Sequence, residues 1–179
     1  MTENQASNLR PVSMDVHHEI EQFLYKEARA LDNEMLREWL DDMVHPAISY
    51  RLVIRDERYR KDKSPAEVRE VAPFDDDIGA LTLRVMQFES GLQFMSDPAP
   101  RMFRMIMNIE CYENGADNEY TVYSCGTVSR FRRTYESERS VFRREDKLSR
   151  DQEGNFRLLA RRVELGERVV RNKNLLFFL

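Results

Sequence analysis

Apolar residues recur at helical spacing in the first half of the chain and predict three helices. The first spans about residues 17 to 31, and its apolar face consists of Ile20, Phe23, Leu24, Ala28 and Leu31. The second is predicted from about Glu34 to Val44, closed by Pro46. The third follows Asp75–Asp77, whose charges suit the positive end of a helix dipole, and ends at Gly91. Residues 1–16 are predicted to be an irregular arm, and 17–179 a single domain.

Alternating apolar and polar residues then predict strands. They are placed at Ala47–Arg55, Arg101–Tyr112, Tyr120–Phe131, Ser137–Ser149, Phe156–Arg168 and Asn174–Leu179. Within the second strand, one face is expected to carry Phe103, Met105, Met107, Ile109 and Cys111. Gly126 is a candidate bulge. The charged stretch from Asp56 to Pro73 has no period and is predicted to be a surface loop.

Helices first and a meander of long strands afterwards predict an α+β fold, with the helices packed in the concave face of a strongly curved antiparallel sheet. The chain ends in five apolar residues, Leu175 to Leu179, that are expected to be buried. We predict that they form the last strand of the sheet, with direct contact to another subunit as the alternative.

Charge is unevenly distributed along the 179 residues. Residues 1–100 carry 12 basic and 20 acidic side chains, whereas residues 101–179 carry 16 basic and 12 acidic ones. Arginine provides 23 of the 28 basic residues, which either indicates an interface or reflects a composition bias. Because basic residues are interleaved with acids in a chain of net charge −4, nucleic-acid binding is not predicted. No apolar run is long enough to span a membrane, and no secretion signal is recognisable, so we expect a cytoplasmic protein.

The residue types that bind metals are scarce. A Rieske cluster and a mononuclear iron of the facial-triad type would together need four histidines, and the chain has three: His17, His18 and His45. His17 and His18 are adjacent, so they do not share a helix face. The cysteines, Cys111 and Cys125, are predicted to be free thiols. We therefore predict no catalytic, cofactor-binding or metal-binding residues in this chain.

One enzymatic alternative stays open. A curved sheet with helices across its mouth can enclose a cavity in which small isomerases and dehydratases place an acid or histidine base beside a tyrosine. Its candidate residues would be Asp42, His45 and Tyr50, or Tyr120 and Tyr123. Paired acids such as Asp41 and Asp42 are more often found at helix ends. A binding or assembly module is a further alternative.

Four blocks of sequence resemble the small (β) subunit of aromatic-ring-hydroxylating dioxygenases. They are Glu38-Trp39-Leu40-Asp41-Asp42-Met43 with Ile48-Ser49-Tyr50; Leu83-Arg84-Val85, Gly91 and Asp97 to Arg104, running on to Asn108; Arg143-Arg144-Glu145-Asp146-Lys147-Leu148; and Phe156, Ala160-Arg161-Arg162 and Asn174 to Leu179. The blocks occur in the family's order, from about residue 17 to the end. Phe94 stands where the family often has tryptophan.

The resemblance implies a fold like that of nuclear transport factor 2 and scytalone dehydratase, a cone of curved sheet that is also called cystatin-like. It also implies a partner, the large (α) subunit, which in this family carries the Rieske [2Fe-2S] cluster and the mononuclear iron. The usual assembly is α3β3, and the NADH-dependent complex inserts both atoms of O2 into an aromatic ring. The small subunit would be mainly structural.

Overall fold

The computed structural model describes residues 9–55, 61, 70–91, 98–115, 118–167 and 178–179. In chain order its elements are β1 (Arg10–Pro11), α1 (Met14–Asp32), α2 (Leu36–Glu38), a π-helical turn (Trp39–Met43), β2 (Val44–Arg55), β3 (Glu70–Asp76), α3 (Ile78–Glu89), β4 (Arg101–Glu113), β5 (Glu119–Arg132), β6 (Glu136–Arg150) and β7 (Phe156–Leu165). The predicted α+β class is confirmed, and the four long strands β4 to β7 follow the last helix as predicted.

The strands of the described residues form one curled sheet in the order β1-β4-β5-β6-β7-β2-β3. The β4–β7 meander is antiparallel, as predicted, but β2 pairs with β7 in parallel. Parallel pairing needs a long connection, and the whole chain between β2 and β7 provides one. The inner face of the sheet packs on α1 and the π-helical turn, where Ile20, Leu24, Trp39, Leu148 and Leu158 are almost fully buried.

The helix starts and ends follow local capping. The Ser13 hydroxyl accepts a hydrogen bond from the Val16 N–H, so α1 begins at Met14, three residues earlier than predicted. Arg10 and Pro11 pair with β4, so the predicted arm contributes to the sheet. Asp77 caps α3 by accepting from the Ala80 N–H at 2.8 Å, as the acidic run indicated. The extent of the arm as a separate segment stays a prediction.

The second predicted helix is shorter than expected. It ends at Met43, and Pro46 lies exposed inside β2 rather than closing the helix. The π-helical turn widens the helix by one residue, and Trp39, Leu40 and Met43 all point into the core. Val44, predicted to be helical, is the first residue of β2.

A bulge in β4 changes which residues face the core. The pairing with β5 shifts between Met107 and Glu110, and Asn108 has a φ of 53° there. Before the bulge the inward positions are Met102 and Ile106, and after it the inward position is Cys111. The prediction that Cys111 shares a face with Phe103, Met105 and Met107 is therefore wrong; these three are about half exposed on the outer face.

Gly126 is not a bulge, contrary to the prediction, because it pairs regularly with Ile106 and Phe142. A Cβ atom at this position would lie 2.5 Å from the Phe142 ring. The glycine therefore leaves room on the inner face for a buried aromatic side chain.

The prediction of a surface loop from Asp56 to Pro73 is wrong at its end, where a strand begins. Residues 70–76 form β3, which pairs with β2 at the edge of the sheet, where a proline such as Pro73 is tolerated. The strand was missed because its few apolar residues do not alternate clearly with polar ones.

At the end of the chain, Phe178 and Leu179 are 1% and 2% exposed, so their predicted burial is confirmed. These two residues are not in a strand, and the rest of the predicted last strand lies outside the described residues.

Candidate functional site: a filled cone and its outer face

Four ionised side chains meet inside the cone. Glu27 projects from α1, Arg144 and Asp146 from β6, and Arg161 from β7. The Arg161 guanidinium donates to both Glu27 carboxylate oxygens, at 2.9 and 2.7 Å, and to both Asp146 oxygens, each at 2.9 Å. Arg144 lies 3.5 Å from an oxygen of each acid. Two arginines and two carboxylates thus form a neutral group, named below the interior cluster.

Burial and pairing act in opposite directions on these groups. Burial of Glu27 would raise its pKa, but the charges of Arg161 and Arg144 outweigh it and lower the pKa of this carboxyl below its ordinary value. Burial would lower the Arg161 pKa, but Asp146 and Glu27 hold it well above its ordinary value. The Arg144 pKa is lowered, first by burial and then by the charge of Arg161. Glu27 and Arg161 therefore remain charged at neutral pH.

Aromatic groups and the last two residues close around the interior cluster. The Trp39 indole donates to Glu27 at 3.1 Å. The Tyr50 hydroxyl donates to the Leu179 carbonyl oxygen at 2.7 Å and accepts from the Leu179 N–H at 2.8 Å. The Phe178 ring stacks 4.6 Å from that of Trp39. These contacts pack the described interior of the cone around the interior cluster.

The interior cluster has no group ready for acid–base chemistry. A general base needs a carboxylate or imidazole that can reach a substrate proton. Glu27 and Asp146 instead each accept from Arg161, and their side chains are at most 1% exposed. Among the described residues inside the cone, the arrangement holds elements together and leaves no acid facing open space.

The residues proposed for an enzymatic cavity are not brought together. Tyr50 lies in the core, whereas Asp42 is exposed and the His45 ring nitrogen Nδ1 accepts from the Ala47 N–H at 3.0 Å. In the second set, Tyr120 packs inward against the Phe156 ring at 5.6 Å, while Tyr123 lies on the outer face beside Tyr112. Neither set forms a catalytic pair.

The candidate metal ligands are also separate from one another. His17 donates through Nε2 to the Ile109 carbonyl, which fixes its tautomer, and His18 is exposed beside Glu21. Burial raises the pKa of the Cys111 thiol to about 12, and Cys125 lies on the opposite face of the sheet. Within the described ranges, no group of three or more His, Cys, Asp or Glu side chains could hold a metal ion. These residues do not fit a Rieske cluster or a mononuclear iron.

The outer face of the sheet has a different character. Arg55 and Arg162 alternate with Glu70 and Glu164 around a cleft of about 500 Å³, which Tyr123 also lines. Arg162 contacts Glu70 at 2.5 Å and Glu164 at 3.4 Å, and Arg55 contacts Glu164 at 3.4 Å. Next to this network lie partly exposed apolar side chains of β4 and β6. None of the helices in the described part of the chain is long and apolar enough to cross a membrane.

The interior cluster was missed by sequence reasoning, although a signal for it exists. On β6, Phe142, Arg144, Asp146 and Leu148 occupy alternate positions, so the apolar pair at the ends shows that the charged pair between them faces inward. The interpretation of the arginines as an interface does not hold for Arg144 and Arg161, which are internal, and for the other arginines it stays a prediction.

Comparison with known proteins identifies the family to which this chain is similar. The family model for the ring hydroxylating beta subunit matches residues 26–172. The biphenyl 2,3-dioxygenase subunit beta of Rhodococcus jostii is 31% identical over 173 residues, which is 94% of this chain and 91% of that protein.

Two solved structures show the fold. A structure of naphthalene 1,2-dioxygenase with indole in its active site superposes with a TM-score of 0.86 at 24% identity, covering 94% of this chain and 88% of the other. A Novosphingobium aromaticivorans protein provisionally described as a scytalone dehydratase has a TM-score of 0.61 at 11% identity, covering 86% of each chain. Cone-shaped enzymes are thus distant relatives in fold alone. The chain belongs to the ring hydroxylating beta subunit family, the small subunits of aromatic-ring-hydroxylating dioxygenases.

Proposed function

We propose that this chain is a structural, non-catalytic subunit that assembles with three alpha subunits in a cytoplasmic α3β3 dioxygenase. The alpha subunits would hold the Rieske [2Fe-2S] cluster and the mononuclear iron. The complex would insert both atoms of O2 into an aromatic ring to give a cis-dihydrodiol, with electrons that originate in NADH. Family membership supports the type of complex, and the packing of the described interior supports the role of this chain within it.

The observation that carries the non-catalytic role is the filled cone. The interior cluster, Trp39, Tyr50 and Phe178 take the volume that a substrate would need, and the described carboxylates there are paired with arginine. A substrate that displaced one of these side chains would leave its partner charge buried and uncompensated, which is costly. The chain is therefore suited to keep a fixed shape against its neighbours.

Co-expression with the cognate alpha subunit tests the proposal. We expect the purified chain alone to be colourless and to contain no stoichiometric iron, and the complex to have the mass of six chains by light scattering. Dihydroxylation of an aromatic substrate should require the alpha subunit. Stoichiometric iron in the lone chain, or turnover by it, would contradict the proposed role.

A further inference from the structure

The outer face of β4, β5 and β6 carries a group of apolar side chains that the fold does not cover. Phe103, Met105 and Met107 of β4 are 51%, 55% and 47% exposed, and Val141 of β6 is 54% exposed. The pairing places Met105 beside Thr127 and Thr127 beside Val141, so these residues are contiguous. Together with Phe131, whose ring contacts that of Phe103 at 5.9 Å, they are named the outer patch.

Contiguous exposed apolar side chains across neighbouring strands are typical of an interaction surface. The exposure follows from the β4 bulge, which turns Phe103, Met105 and Met107 away from the core while Ile106 stays inside. At the centre of the outer patch, the Thr127 hydroxyl is buried without a hydrogen-bond partner.

Three arginines adjoin the outer patch, and the acid in register with one of them, Glu164 opposite Arg143, is in contact with Arg55 and Arg162 instead. Arg101, Arg139 and Arg143 lie on the same face as Met105, at paired positions of the same three strands. Among the described residues, none of the three has a carboxylate partner, and Arg139 contacts only the Ser129 hydroxyl at 3.4 Å. Arg143 borders the cleft that also holds Arg162 and Arg55, but those two arginines are paired with glutamates.

We propose that the outer patch is the docking surface for the alpha subunit, through a region of that subunit with apolar side chains ringed by Asp or Glu. This inference rests on the proposed function, which supplies a partner of a different sequence. Charge complementarity favours that partner over a second copy that presents the same patch, because such a self-contact would place arginine against arginine. Arginines that lack acids here can each form a bidentate pair with a partner carboxylate.

The test measures binding of purified variants to the cognate alpha subunit. Met105→Asp puts a charge at the centre of the outer patch and should weaken binding roughly thirtyfold, the size typical of a central interface residue. Arg143→Glu should weaken it about tenfold, with a reduced dependence on salt. The matched control is Leu83→Asp on α3, where an exposed leucine (68%) receives the same charge and affinity should stay unchanged.

Urea unfolding of each lone variant separates lost binding from lost folding, and Arg143→Glu keeps the test valid if Met105→Asp folds poorly. Wild-type affinity in both outer-patch variants would overturn the docking surface while leaving the proposed function intact. Loss of self-association with unchanged alpha binding would also overturn it in favour of a second copy. Absence of any wild-type complex with the alpha subunit would refute the proposed function and the docking surface together.

Discussion

Arg161 and Arg162 are neighbours in β7, but their side chains enter opposite environments. The Arg161 side chain is 0% exposed and donates to Glu27 and Asp146, whereas that of Arg162 is 34% exposed and contacts Glu70 and Glu164 near water. Inside, arginine is neutralised completely and fixes the packing of α1 on the sheet. Outside, the Arg162 pairs with Glu70 and Glu164 remain close to water. Strand alternation alone thus separates a buried structural arginine from one on the surface.

Replacing each of these two arginines in turn should give the largest difference in the free energy of unfolding between the inner and the outer position. Arg161→Met leaves two carboxylates buried without their main partner, and we expect a loss of about 3–5 kcal/mol in the free energy of unfolding. Arg162→Met, the matched control on the outer face, should cost about 1 kcal/mol or less. Urea denaturation measures both, and equal losses would contradict the distinction.

The next largest effect is expected at Gly126. In Gly126→Ala the new methyl group collides with the Phe142 ring on the inner face, which should cost about 1–3 kcal/mol. The neighbouring variant Thr127→Val points to the outer face and removes a hydroxyl that lacks a partner, so it should change stability by less than about 0.5 kcal/mol. Thermal unfolding of the two variants distinguishes them; a harmless Gly126→Ala would show that Phe142 can move.

Buried Tyr50 and exposed Tyr112 allow the same comparison between the interior and the surface, with a smaller expected difference in stability. Tyr50→Phe removes the hydroxyl that both donates to and accepts from Leu179, leaving two buried backbone groups without it, at a cost of about 1–2 kcal/mol. Tyr112→Phe removes only an exposed hydrogen bond to Glu110, so it should lower the free energy of unfolding by only about 0.5 kcal/mol or less. If urea denaturation shows similar midpoints for both, Leu179 is not fixed by Tyr50.

The effect of pH is expected to be the smallest, because it is absent near neutrality. Burial opposes ionisation of Glu27, but Arg161 and Arg144 hold its pKa below the ordinary value of 4.5. Its contribution to stability is therefore complete above about pH 4.5 and is lost as the pH falls through the lower pKa of the folded state. Urea midpoints between pH 6 and pH 2 should decline, and less steeply in Glu27→Gln. Identical slopes in the two proteins would contradict this assignment.

Several elements could be predicted because their causes are local. Asp77 caps α3 through its own side chain, and the regular alternation in β6 is independent of its neighbours. Edge strand β3 escaped prediction because its stability comes from pairing with β2, which its own sequence does not reveal.

The orientation of side chains could not be predicted where one residue interrupts the pattern. The bulge at Asn108 reverses the faces of β4, and that reversal decides whether Phe103 and Met105 belong to the core or to the outer patch. The interior cluster required knowledge of three separate elements at once, since Glu27 and Arg161 meet only in the folded chain. Identification of the family, in contrast, needed only the order of short motifs.

The parallel pairing of β2 with β7 has a consequence for synthesis of the chain. Glu27 and Arg161 are 134 residues apart in sequence, so α1 leaves the ribosome long before its counter-charge exists. Until β7 emerges, the Glu27 carboxylate lacks Arg161 and is more stable in water than buried. During the same time β2 lacks β7, its parallel neighbour in the sheet. Such high contact order slows folding, because long loops must close before their contacts form. We therefore expect this chain to complete its sheet only after β7 has been translated, so that closure of the cone precedes any assembly.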